Sequence, residues 1–176
     1  MGPALSDDPF TGQPIQYVDK ISGCAMLFDL RKVQSVGFFD ENIFLFFEEN
    51  DLCLRIIQAG LRIGLCRQIR IQHLSGKASP MTPQIEYLKN WHYGWSYSCF
   101  VDKHGVDAKR QTVRKRYWRY RFKSWLSLRP IKRLHYRAKA DGVRAFIRGE
   151  SAFTAALRES DIRPSRKSLR PRTNDA

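Results

Sequence analysis

Apolar positions change period several times along the chain, and each change marks an element. Tyr17 to Phe28 reads as a strand broken at Ser22-Gly23, where a glycine lets backbone or a ligand approach closely. Arg31 to Val36 suits a short helix that Gly37 ends. From Asn50 to Ala59 the residues Leu52, Ile56 and Ala59 recur at helical spacing, and Gly60 stands where a C-terminal cap belongs. Asp51 and Arg55 are four apart and can pair on one face of that helix. Leu61, Ile63, Leu65, Ile69, Ile71 and His73 then share one parity, which predicts a strand over 61–73 with one buried face. His73 closes it on the apolar side. A second, aromatic-rich helix is expected from Pro83 to about His104, followed by two basic helices near 109–128 and 131–148 divided by Pro130. Residues 1–14 read as an irregular lead-in, 75–80 as a loop, and 165–176 as a charged, disordered tail. No internal repeat is visible.

Charge divides the chain. Residues 1–100 hold 9 Lys+Arg against 10 Asp+Glu, whereas residues 101–176 hold 22 against 7, so the net +14 belongs to the second part. Such asymmetry points to an anionic partner of that part, either nucleic acid or a membrane surface. At 176 residues with 43% hydrophobic composition, a single folded domain with a real core is expected. Cys24, Cys53, Cys66 and Cys99 form no CxxC pair, which argues against a zinc site or a small disulfide scaffold and for reduced thiols in a cytosolic setting. The start has no basic and apolar leader, and the aromatic run from Trp91 to Val101 is far short of the ~20 residues a bilayer span needs.

Three acids, Glu48, Glu49 and Asp51, fall within four residues, after an aromatic run and before an apolar helix. Acids beside apolar surface are costly unless paired, protonated or used in chemistry. A plain structural role is also open: acids in a first helical turn favour the helix dipole. His73, read from its position alone, is either a satisfied core histidine or a ligand.

The ordered segments Ser-Gly-Cys-Ala-Met-Leu-Phe (22–28), Val-Gly-Phe-Phe-Asp-Glu (36–41), Phe-Phe-Glu-Glu-Asn-Asp-Leu-Cys-Leu-Arg (46–55), Ala-Gly-Leu-Arg-Ile (59–63) and Gln-His-Leu-Ser-Gly (72–76) resemble glycosyltransferase family 2. The likeness is greatest to its rhamnosyltransferase-like members and covers about residues 17–105. The family's wording is Gly-Gly-Phe-Asp-Glu, then Glu-Asp-x-Asp-Leu-x-x-Arg, then a histidine after a strand. The resemblance implies an α/β fold, the C-terminal portion of a GT-A domain followed by basic amphipathic helices. It implies inverting transfer from a nucleotide-sugar donor to a glycan or lipid-linked acceptor in cell-surface polysaccharide synthesis. By position Glu49 corresponds to the general base. Glu48 and Asp51 would be supporting acids, with Asp51 contacting or orienting the acceptor and paired with Arg55. Gly23, Asp40, Glu41 and Arg55 would line the acceptor cleft. His73 would join a site for a divalent metal, Mg or Mn, that holds the donor diphosphate.

One family feature is absent. Members begin with a nucleotide-binding half that ends in an acidic Asp-x-Asp motif, and no Asp-x-Asp occurs in this chain. The sequence therefore reads as a partial glycosyltransferase domain over 1–105, the acceptor-side half, then a basic helical extension over 106–164. The donor and its metal are expected to need a separate N-terminal half. A non-catalytic basic module that binds membrane or nucleic acid is the alternative.

In the basic part, Trp118, Phe122, Trp125 and Leu126 lie at helical spacing, with Arg114, Lys115, Arg119 and Lys123 beside them. A basic helix of this kind suits an anionic membrane interface, which would place the protein peripherally on the inner face of the cell membrane. Phosphates and stacked bases, or packing of the aromatics on the separate half, are the rival expectations.

Overall fold

A computed structural model describes residues 5–7, 14–73, 82–105 and 112–153, the first three and Pro14 by their backbone. Within them the chain forms β1 (Leu5–Asp7), β2 (Pro14–Val18), α1 (Leu30–Val36), α2 (Glu48–Gln58), β3 (Ile63–Cys66), α3 (Pro83–His104), α4 (Val113–Leu126) and α5 (Pro130–Ile147). The strands make one antiparallel sheet in the order β1-β2-β3, with Leu5 opposite Gln16 and Val18 opposite Ile63. The expected lead-in over 1–14 thus contains a strand.

Local chemistry sets most helix ends. Asp29 caps α1 by accepting from the Arg31 and Lys32 amides, and Gly37 ends it at φ +72°. Thr82 caps α3 by accepting from the Ile85 amide, with Pro83 in the first turn where its missing N–H costs nothing. Gly105, in the left-handed region, closes the same helix. The tail over 165–176 and the loop over 75–80 lie outside the described residues.

Two strand expectations need correction. The strand expected over 17–28 stops at Val18, because its partner Ile63 is the first residue of β3 and nothing continues the ladder. The strand expected over 61–73 is only Ile63–Cys66. Cys66 pairs with Ile15, and the next residue of β2 is Pro14, which has no N–H to donate. Ile63 is buried, but Leu65, Ile69, Ile71 and His73 are exposed. Alternation buries a face only where a second layer covers it, and among the described residues nothing covers these positions.

Packing forms three apolar clusters. Val33, Leu52, Cys53, Ile56 and Ile63 join α1, α2 and β3. Trp91, Trp95, Ala138, Ala145 and Ala152 join α3 to α5 and the segment after it. Tyr120, Ala140 and Val143 join α4 to α5. The α3–α5 crossing is close because of two glycines. A Cβ on Gly94 would run into the Lys139 carbonyl oxygen, and one on Gly142 into that of Trp91. Tyr87 donates to Asp141 at 2.9 Å and the Trp95 indole to the Glu150 carbonyl at 2.9 Å, so the same crossing satisfies its polar groups.

Candidate functional site

The loop between α1 and α2 lies along α3. Ile43 is buried, the Ser96 hydroxyl donates to the Leu45 carbonyl at 2.8 Å, and Phe44 rests on His92 with ring centroids 5.1 Å apart. Burial holds that histidine neutral by pushing its pKa down to about 4. The loop then enters α2 through two consecutive residues at positive φ, Phe46 at 66° and Phe47 at 68°. A non-glycine residue held there costs about 1–3 kcal/mol and persists only where surrounding contacts impose it. Those contacts are aromatic. Phe47 sits against Tyr93, Tyr97 and Phe100 at 5.4, 5.1 and 5.7 Å, and Phe46 against Tyr93 at 5.9 Å. Tyr93, Tyr97 and Phe100 are spaced i, i+4, i+7 and share one face of α3.

This turn delivers the three acids to the first turn of α2, but into different surroundings. Asp51 is completely buried, and both of its oxygens are taken. Oδ2 accepts from Arg55 Nε at 2.9 Å and Nη2 at 2.8 Å, while Oδ1 meets Lys103 Nζ at 2.8 Å and His104 Nε2 at 2.7 Å. Burial alone would push its carboxyl up; the hydrogen bonds from Lys103, His104 and Arg55 outweigh that and hold it below the usual carboxylate value. Arg55 also donates to the carbonyls of Val36, Gly37 and Phe38, so one guanidinium pins the end of α1 to α2.

Asp40 belongs to the same network. It accepts from the backbone and side-chain nitrogens of Asn42, each at 2.9 Å, and pairs with Lys103 at 2.7 Å. Partial burial would raise its pKa, but Lys103 and Asn42 bring it down to about 2. Lys103, bridging two carboxylates, is held above its ordinary value despite the opposing effect of burial. Burial, with the nearby Asp40 charge, pushes the neighbouring Cys99 thiol up to about 11 and keeps it unreactive.

Glu48 and Glu49 are half-buried, and each has one oxygen, Oε2, shielded from solvent without a hydrogen-bond donor among the described residues. Burial raises the Glu48 pKa, its own backbone amide lowers it, and the adjacent Glu49 charge raises it further. Glu49 faces Gly23: a Cβ built there would stand 3.7 Å from the Glu49 Cβ and 3.8 Å from its carboxyl carbon. Any larger residue at 23 would therefore extend over this carboxylate.

Of the other expected site residues, Glu41 is exposed, and His73 is exposed on the irregular chain beyond β3. Among the described residues no three His, Cys, Asp or Glu side chains converge as a metal-ligand set. The described residues by themselves therefore assemble no ligand set around His73.

Lys103, His104, Asn42 and the aromatic face of α3 were not singled out from the sequence. The i, i+4, i+7 spacing of Tyr93, Tyr97 and Phe100 was a usable signal, whereas nothing local joins His104 to a residue 53 positions earlier. Comparison with protein-family models, curated proteins and solved structures finds no match to this chain.

Proposed function

We propose that the chain forms the acceptor side of an inverting glycosyl-transfer site, with Glu49 as general base. The carrying observation is the contrast within one turn of α2. Asp51 is saturated by Arg55, Lys103 and His104, while Glu49 keeps a carboxylate oxygen without a donor, among the described residues, beside the uncrowded backbone of Gly23. A buried acceptor lone pair without a partner is costly, and an acceptor hydroxyl is the kind of donor that would relieve it. The resemblance of residues 22–76 to family 2 transferases supports the same assignment.

In this reading the hydroxyl oxygen attacks the anomeric carbon, its proton passes to a Glu49 carboxylate oxygen, and the bond from that carbon to the nucleoside diphosphate breaks. The diphosphate leaves from the opposite face, which inverts the centre. Glu48 stands beside Glu49 as a supporting acid, its own pKa raised first by burial and further by the adjacent Glu49 charge. Asp51, Arg55 and Asp40 are positioning residues: they fix the 36–42 loop against α2 and α3, and through them the direction in which Glu49 points. The nucleotide sugar and any divalent metal fall to a separate Asp-x-Asp-bearing half.

The test is transfer to glycan acceptors with an N-terminal nucleotide-binding half supplied alongside the full chain. Glu49→Gln should lower kcat by about 10²–10⁴-fold with the fold intact. Full retained transfer would remove Glu49 from the role. A basic module without catalysis remains the rival, and it predicts glycan binding unaffected by Glu49→Gln or none at all.

A further inference from the structure

Helix α4 turns large apolar side chains outward among its cations. Its inward face carries Arg116, Tyr120 and Ser124, all buried, whereas Trp118, Phe122 and Trp125 are 68%, 60% and 74% exposed. The α4–α5 elbow extends this surface with Leu126, also exposed, and with Leu128, 99% exposed. Basic side chains border the stripe on both sides: Arg114 and Arg121 along one edge, Arg119 and Lys123 along the other, all exposed. Two of these cations are steadied from below, Arg119 over the Tyr120 ring at 5.5 Å and Lys123 over Tyr136 at 5.6 Å. Residues 113–133 contain nine Lys+Arg and no Asp or Glu.

We propose that the outer face of α4 and the α4–α5 elbow form a docking surface for an anionic lipid bilayer, with Trp118, Phe122, Trp125 and Leu128 entering the interface and the flanking cations meeting headgroups. A helix facing water alone would not turn three large aromatic side chains outward among its cations. Among the described residues no acid pairs with Arg114, Arg119, Arg121 or Lys123, and such a row of cations suits an extended anionic partner. Tryptophan beside basic residues, with aliphatic side chains at the tip, matches the headgroup–acyl boundary. Nucleic acid fits less well, because Leu128, the most exposed side chain of this surface, and Leu126 beside it offer no ring for base stacking. Among the described residues no helix is long and apolar enough to cross a membrane, so the contact lies in the plane of the interface. The inference is independent of the transfer chemistry, since none of these residues touches Glu48, Glu49 or the Asp51 network.

The experiment is co-sedimentation of the full chain with vesicles of phosphatidylcholine alone and of phosphatidylcholine with phosphatidylglycerol, over a salt series. Expected is at least about tenfold stronger binding to the anionic vesicles, weakening as salt rises. Trp118→Ser with Trp125→Ser should reduce it at least about tenfold at unchanged charge and unchanged thermal unfolding. A second readout needs no variant. Brominated lipid should quench part of the wild-type tryptophan emission, because Trp118 and Trp125 enter the lipid while Trp91 and Trp95 stay in the α3–α5 core. Failure to bind vesicles, equal binding to both compositions, or no quenching would overturn the proposal. So would a single-stranded RNA oligonucleotide that binds through the same tryptophans when vesicles do not.

Discussion

His104, the last residue of α3, places Nε2 2.7 Å from Oδ1 of Asp51 in the first turn of α2. The two side chains are almost fully enclosed, and Lys103 and Arg55 complete the charge balance around the carboxylate. Removing one partner of a buried charge group strands the others, so the network should be costly to break and its members strongly coupled. Asp51→Asn is expected to destabilise the chain by about 3 kcal/mol in urea unfolding. Combined with Lys103→Met it should show a coupling energy of at least about 1 kcal/mol. Additive effects would mean that the contacts are too loose to position α2.

The same network sets an acid limit. Asp40 and Asp51 have folded pKa values depressed below the model-compound 3.8, Asp40 to about 2. A depressed carboxylate contributes stability above its unfolded pKa and loses it as pH falls toward the folded value. Thermal unfolding should therefore show Tm falling between about pH 5 and pH 2, and Asp40→Asn should flatten that slope. An unchanged slope would place the acid sensitivity elsewhere.

Glu48 has the opposite sign. Its folded pKa is raised above 4.5, so the folded state holds the proton more tightly than the unfolded one. Its favourable contribution is full below the unfolded value and is lost as pH rises through the folded one. Glu48→Gln should consequently raise stability at pH 7 by about 0.5 kcal/mol, with the difference vanishing in acid. A destabilised variant at pH 7 would show that the Glu48 charge is compensated.

The α3–α5 crossing depends on two missing side chains. Gly94→Ala would drive a Cβ into the Lys139 carbonyl, and Gly142→Ala into that of Trp91. Backbone atoms cannot swing aside as a side-chain tip can, so each substitution should cost about 3 kcal/mol despite alanine's better helix propensity. Gly60→Ala is the comparison: space around it is open, and only its φ of +73° opposes the change, at about 1 kcal/mol. Equal costs at positions 94 and 60 would contradict the crossing.

Phe47→Ala separates strain from packing. The substitution keeps the left-handed φ but deletes the ring against Tyr93, Tyr97 and Phe100. A loss of about 3 kcal/mol is expected, whereas Phe46→Ala, with one ring contact, should cost less than half as much. If the two were equal, the aromatic face of α3 would not be what holds the turn.

Local rules made much of this protein legible from the chain itself. Asp29, Thr82, Pro83, Gly37 and Gly105 mark helix ends through hydrogen bonding and backbone freedom that act over a few residues. The Asp51–Arg55 spacing foretold their pair, and the stripe from Trp118 to Leu126 was visible at helical period. Tertiary structure alone decided the rest. Periodicity in 61–73 describes which face could be buried, but the length of β2 decided where the strand stops and left Ile69, Ile71 and His73 exposed. Likewise, apart from the family resemblance, nothing local in the sequence ranks the three neighbouring acids. They part company because α3 brings Lys103 and His104 to Asp51 alone, while the strained Phe46-Phe47 turn leaves Glu48 and Glu49 with oxygens to offer. Those contacts join residues about fifty positions apart, and only packing selects them.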